Sequence, residues 1–190
     1  MSRTLLIDNY DSFTYNLFHY LEDLLEEEVM VMRNDELDFS QVANFSSIVI
    51  SPGPGLPKDA GDLMKLLEKV VFDKKVLGIC LGHQAIAEFF GMKLKNLDQV
   101  YHGVSTPLHI TKQDIGIFKD IPNGIKIGRY HSWVAVGENN LTDLEVTSVD
   151  NNGNVMSISH KILPVTGVQF HPESILTEYG KKIIKNWIEH

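Results

Sequence analysis

Val76-Leu77-Gly78-Ile79-Cys80-Leu81-Gly82-His83-Gln84 carries an apolar strand into a helix, with the only cysteine of the chain at the junction. A Gly-x-Cys-x-Gly turn is the thiol counterpart of a nucleophile elbow, in which small residues on both sides let the backbone bend sharply and present the side chain between them. The helix expected to follow, from Gly82 to Phe90, aims its free N–H groups at the sulfur, a setting that suits an anion. By itself a lone cysteine reads better as a small buried hydrophobe. The flanking sequence decides between the two.

Upstream of the elbow, strand and helix patterns alternate. Thr4 to Ile7 is a short apolar strand, followed by a helix that Asp11 or Ser12 can cap and whose Phe13, Leu17, Leu21 and Leu24 recur at helical spacing. Val29 to Arg33 and Ser47 to Ser51 repeat the strand pattern, and Gly61 to Phe72 is helical, with Leu63, Leu66, Leu67 and Val70 along one side. Such βαβ alternation predicts a parallel sheet wrapped by helices, with a site at the C-terminal ends of its strands. Downstream, from Lys93 to Phe170, short alternating segments take over. Thr106 to Ile110, Trp133 to Val136, Leu144 to Val149 and Asn154 to Ser159 read as strands, with a hairpin turn at Asp150-Asn151-Asn152-Gly153. An antiparallel extension of the main sheet follows. A last helix, Thr177 to Glu189, carries Ile183, Ile184, Trp187 and Ile188 on one face. The fold class is therefore α/β, a mixed and mostly parallel sheet with helices on both faces, in a single domain over residues 1–190.

Two further stretches supply what a thiol needs. Val168-Gln169-Phe170-His171-Pro172-Glu173-Ser174 ends a strand with a base, His171, and a carboxylate two residues on. Cysteine attack requires a base that takes the proton and returns it to the leaving group, and the base needs a partner that fixes its tautomer. In extended chain, positions two apart point the same way, so Glu173 is expected beside the His171 ring. The order Cys, His, Glu argues against an α/β-hydrolase, whose acid precedes its histidine. Ser46 to Pro57, with Ser51-Pro52-Gly53-Pro54-Gly55 at its centre, runs a β-branched strand into a rigid loop. Prolines have no N–H, so Gly53 and Gly55 are its central donors. One of these amides and that of Leu81 would form an oxyanion hole. A phosphate-binding loop is disfavoured because the Gly-Lys-Ser/Thr ending is missing.

Composition narrows the partners. The 190 residues carry a formal charge of −8 and no basic run, which disfavours nucleic acid. A single cysteine forms no internal disulfide, and no stretch reaches the length of a membrane span, so a cytoplasmic protein is expected. Asp8 and Asp11 interrupt the apolar region a signal peptide would need. The eight histidines are scattered without ligand spacing, so no metal is expected; His83 and His131 are placed in the walls of the site.

Five motifs occurring in order, Asp8-Asn9-Tyr10-Asp11-Ser12-Phe13-Thr14-Tyr15-Asn16-Leu17, Ser51 to Gly55, Gly78 to Gln84, Tyr130-His131-Ser132 and Phe170 to Ser174, resemble the triad-type glutamine amidotransferases. Within that family the opening motif is similar to the chorismate-linked branch, anthranilate synthase component II and its aminodeoxychorismate synthase counterpart. The resemblance covers essentially the whole chain and implies a flavodoxin-like sheet. It also implies that Cys80 attacks the side-chain amide of L-glutamine to form a γ-glutamyl thioester, that His171 shuttles protons and that Glu173 orients His171. Gly55 and Leu81 would give the oxyanion amides, and Gly53, Pro54, Gly55, Gln84, Ser132 and Trp133 would hold glutamine, the last two through backbone. No cofactor is implied. The implied partner is a chorismate-binding large synthase subunit that receives ammonia, and the choice between tryptophan, folate or both lies in that partner. Relatives commonly carry Leu where this chain has Trp133, and Lys where it has Val104. A cysteine peptidase or other acyl hydrolase on the same architecture, and a non-catalytic assembly module, are the competing readings.

Overall fold

A computed structural model describes residues 3–137 and 143–190. Strands β1 (Thr4–Asp8), β2 (Val29–Arg33), β3 (Ser47–Ile50), β4 (Lys75–Ile79), β5 (Lys93–Asn96), β6 (Val104–Pro107), β7 (His109–Ile110), β8 (Lys126–Arg129), β9 (Trp133–Val136), β10 (Leu144–Val149), β11 (Val155–His160) and β12 (Val165–Val168) are joined by helices α1 (Thr14–Leu24), α2 (Phe39–Val42), α3 (Leu63–Val70), α4 (Leu81–Phe89) and α5 (Gly180–Glu189). The main sheet runs β2-β1-β3-β4-β12-β11-β10-β7. Its first five strands are parallel, in the flavodoxin-like order, and the last three continue it antiparallel.

Parallel strands covered on both sides must be apolar on both sides, and β1 shows it residue by residue. Leu5 and Ile7 join Ile48 and Ile50 in a core beneath α3 and α4, while Leu6, Val49, Leu77 and Ile79 face Leu17 and Leu21 of α1 and Ile183, Ile184 and Trp187 of α5. Among the described residues no helix is long and apolar enough to cross a membrane.

Several expectations change. Thr106 to Ile110 is two strands rather than one: β6 pairs with β8, and after Leu108 the short β7 crosses to the edge of the main sheet beside β10. Pro107, which has no N–H to donate, ends the first pairing. Trp133 to Val136 forms a strand but pairs with β5 in a separate ribbon. The first helix starts at Thr14 without a side-chain cap of its own, and Asp11 instead accepts the Phe13 N–H in a local turn. α2, β5 and β8 have too few residues for a legible period and were not expected.

Candidate active site

The elbow depends on both of its glycines. Cys80 has φ 51° and ψ −99°, a conformation that L side chains rarely adopt and that costs on the order of 1–3 kcal/mol. A Cβ on Gly78 would lie 2.4 Å from the carbonyl carbon of Gly82, and one on Gly82 would lie 2.7 Å from the carbonyl oxygen of Ile50. The turn therefore closes only if strand, helix and neighbouring strand touch backbone to backbone. Cys80 N–H is tied to Val168 of β12 at 2.8 Å, and its carbonyl accepts from Gln84 at 3.0 Å, the first helical bond of α4. The N–H groups of Leu81, Gly82 and His83 lie at the open N-terminus of that helix. The sulfur sits in a narrow place, with Cys80 only 6% exposed.

His171 and Glu173 stand at the end of the adjacent strand. Glu173 Oε1 accepts from His171 Nδ1 at 2.8 Å, and both side chains are buried. The contact was expected, but its geometry differs: residues 171–174 form a turn, closed by Ser174 N–H on the His171 carbonyl at 3.2 Å, and are not extended. The turn is clamped from three sides. His171 N–H reaches Gly128 at 3.0 Å, Thr177 Oγ1 donates to the His171 carbonyl at 2.6 Å, and Gly180 of α5 lies so close to Pro172 that a Cβ there would sit 1.9 Å from its carbonyl oxygen. Phe13 and Tyr130 cover the imidazole, at ring-centre distances of 5.2 and 4.7 Å. The opening motif thus reaches the site through Phe13.

Three buried histidines nearby show what decides their charge. Burial alone pushes His83 down to about 4, slightly offset by the backbone of Gly167. Burial, with the Arg129 charge beside it, pushes His131 down to about 3. Burial opposes the charge on His171 too, but Cys80 and Glu173 outweigh it and lift the imidazole to about 10. Of the influences that raise it, the approach of the Cys80 sulfur as a hydrogen-bond acceptor is the largest, ahead of Glu173, although His171 Nε2 closes no strictly aligned bond.

The loop after β3 is stitched to β1. Asn9 N–H donates to Ser51 Oγ at 2.9 Å, and its amide donates to the Ser51 carbonyl at 2.8 Å. Gly53 then packs against Asn9 and the Leu81 side chain, each within 2.6 Å of where a Cβ would stand, which fixes the loop to the elbow. Gly55 has φ +76° with open space beside it.

A buried network lies on the other side of the sulfur. Asp150 accepts from Arg129 Nη1 at 2.8 Å, and Arg129 Nε donates to His131 Nε2 at 3.1 Å. His131 Nδ1 lies 2.9 Å from the Trp133 carbonyl, which also accepts from Gln84 Nε2 at 3.1 Å. Gln84 Nε2 donates in addition to Gln169 Oε1 at 3.1 Å, and Gln169 Nε2 to Cys80 Sγ at 3.6 Å. Both lone pairs of the Trp133 carbonyl are thereby used, so that carbonyl serves the loop. The Ser132 carbonyl takes one internal donor, Leu97 N–H at 2.7 Å. Gln84 and Trp133 are thus tied to the elbow, and His83 and His131 stand beside it fully or almost fully buried.

Sequence reasoning passed over Arg129 and Gln169. A polar residue within the apolar run Val165 to Phe170 was the available signal for Gln169. Arg129 gave none, because an arginine in a short strand ordinarily faces water. Val104, the other departure from common relatives, is an edge residue of β6 paired with Arg129.

The glutamine amidotransferase class-I family matches residues 5–190. Anthranilate synthase component 2 of Pseudomonas aeruginosa is 43% identical over 97% of this chain and 94% of its own length. Aminodeoxychorismate synthase component 2 of Klebsiella aerogenes is 41% identical over 97% and 98%. In fold, the chain is similar to the crystal structure of a glutamine amidotransferase from Thermotoga maritima, with a TM-score of 0.71 at 16% identity over 99% of this chain and 81% of that one.

Proposed function

The chain belongs to the class-I glutamine amidotransferase family, and from that premise we propose that it is the glutaminase subunit of a chorismate-aminating synthase. It would hydrolyse L-glutamine through Cys80, His171 and Glu173 and hand ammonia to a large partner subunit, as one cytoplasmic domain over residues 1–190. The observation that carries the proposal is the buried His171–Glu173 pair, 2.8 Å apart, beside a cysteine held at φ 51° on a helix N-terminus.

Burial opposes charge on His171 but Cys80 and Glu173 raise it to about 10, so this imidazole is the group that takes the Cys80 proton as the sulfur attacks. The sulfur attacks the side-chain amide carbon of glutamine. Charge gathers on the amide oxygen, where the N–H groups of Leu81 and Gly55 are the candidate donors. His171 returns the proton to the nitrogen, ammonia leaves, and a γ-glutamyl thioester remains. Water then attacks the thioester, His171 takes its proton, and glutamate departs with the sulfur again free. Glu173 holds the ring by Nδ1 and balances its charge throughout.

Gly53, Pro54, Gln84, Ser132 and Trp133 border the glutamine position, with Gln84 and Trp133 acting mainly by keeping the loop in place. A nucleophile that is 6% exposed suits a single amino acid better than an extended peptide. The partner would approach the same strand ends, where Tyr10, Tyr15 and Ile175 are exposed. Its product would be anthranilate, 4-amino-4-deoxychorismate or both.

The experiment assays the complex of this chain with its large subunit twice, with glutamine and with ammonium salt at alkaline pH. Cys80→Ala abolishes glutamine-dependent amination and leaves ammonia-dependent amination intact. Loss of both in a folded complex defeats the glutaminase assignment.

A further inference from the structure

Gln169 touches the nucleophile itself, through an amide whose orientation its surroundings dictate. We propose that Gln169 is a positioning residue for the nucleophile, its side-chain N–H holding the Cys80 sulfur in place for attack. The proposal deepens the glutaminase reading and rests on it for its catalytic meaning.

The direction of each bond follows from chemistry. Arginine only donates, so Arg129 Nε makes His131 Nε2 the acceptor, and the ring proton sits on Nδ1, facing the Trp133 carbonyl. That carbonyl only accepts, so the NH2 end of Gln84 faces it, and the same NH2 makes the Gln169 oxygen the acceptor. The amide of Gln169 is left with its NH2 toward Cys80 Sγ, at 3.6 Å. Gln169 is fully buried, and its backbone is fixed by a 2.8 Å bond to Met156. A rigid donor facing the sulfur becomes a charge-assisted bond as the sulfur gives up its proton in the attack, and it fixes the direction of the sulfur without consuming the proton His171 must carry. His171 and Gln169 then serve the sulfur differently: one moves the proton, the other holds the position.

Gln169→Glu keeps the shape and the bond from Gln84 but turns the group facing the sulfur from donor to acceptor. Gln169→Met keeps the length and removes both polar ends. In the full complex, Gln169→Glu lowers kcat for glutamine by about tenfold or more while KM stays within about threefold, and ammonia-dependent amination is unchanged. Alkylation of Cys80 by iodoacetamide, which needs no glutamine pocket, slows by about the same factor, and Gln169→Met slows it less. A role confined to packing would lower the melting temperature and leave alkylation alone. Wild-type alkylation in folded variants therefore overturns the proposal. Should the variants not fold, the unsubstituted chain decides: alkylating Cys80 must shift the side-chain 15N–1H resonances of Gln169 while those of Gln41 stay, and an unmoved Gln169 signal overturns the proposal. Failure of the unsubstituted complex to use glutamine would count against the glutaminase reading alone, since the alkylation and resonance measurements do not depend on turnover.

Discussion

Gly78→Ala is the smallest change that strikes at the elbow, and its cost can be worked from distances. The new Cβ would meet the carbonyl carbon and oxygen of Gly82 at 2.4 Å and Ile86 Cδ1 at 2.6 Å. Comfortable carbon contacts lie at about 3.5–4.0 Å, so β4 and the start of α4 must part by about 1 Å. The Ile86 methyl can rotate away, but the Gly82 backbone cannot. Overpacking costs about 1–3 kcal/mol, and a backbone contact belongs at the upper end. For a chain of this size, about 3 kcal/mol lowers Tm by roughly 6–12 °C. The kinetic effect is of similar size, because Gly82 is two residues from Cys80 and displacement of a reacting group by about 1 Å costs about a hundredfold in rate, or about 2.7 kcal/mol. Thermal unfolding gives the first number, and glutamine turnover by the complex the second. Gly91→Ala is the control: Gly91 has φ +89° but open space around it, so only conformational strain of about 1–2 kcal/mol applies and turnover is kept. A Gly78→Ala complex that turns over glutamine at the wild-type rate would refute the claim that close backbone contact shapes the nucleophile.

Other perturbations test other parts. Glu173→Gln retains an acceptor for His171 Nδ1 but removes the charge, so the His171 pKa falls below about 10 while Cys80 still raises it, and kcat drops by about 10²–10⁴; imidazole 15N shifts across a pH titration check the first part. The raised His171 stabilises the fold fully below its ordinary 6.5, and that contribution is lost as pH rises through about 10. The stability gap between wild type and Glu173→Gln should accordingly be widest below about 6.5 and narrow as pH rises through about 10, and an unchanging gap counts against the charge pairing. Asp150→Asn leaves buried Arg129 without its counter-charge and costs about 3–5 kcal/mol in chemical denaturation, whereas the exposed pair Lys181–Asp23 can be broken for less than about 1 kcal/mol. Because ammonia freed without an acceptor is wasted, the large subunit should raise glutaminase kcat over that of the isolated chain; equal rates at saturating glutamine would argue against coupling.

The sequence was most informative where chemistry demands a rare local arrangement. Two glycines around Cys80 announced a sharp turn, and the structure shows both pressed against backbone. The alternation up to Ile79 announced the parallel strands, since their two-sided burial makes them uniformly apolar. The His171–Glu173 contact was legible from the spacing of two, which brings the pair together in the turn 171–174 as it would in extended chain. Less could be read between Lys93 and Arg129, where two-residue and four-residue strands are too short for a period and the pairing of β6 with β8 is set by distant partners. The network from Asp150 to Gln169 was illegible for another reason. Its members are residues from separate strands, the loops after them and helix α4, and only folding shows that Arg129 and Gln169 are buried and share a chain of hydrogen bonds.

The central claim is that Cys80 is the nucleophile that receives the glutamyl group. Its most direct test is peptide mass spectrometry after exposing the assembled complex to diazo-oxo-norleucine, a glutamine-shaped electrophile, with and without excess glutamine. One label per chain, located on Cys80, suppressed by glutamine and missing from His171→Ala, is the predicted result. A label on another residue, or Cys80 labelled equally well in the presence of glutamine, would contradict the account.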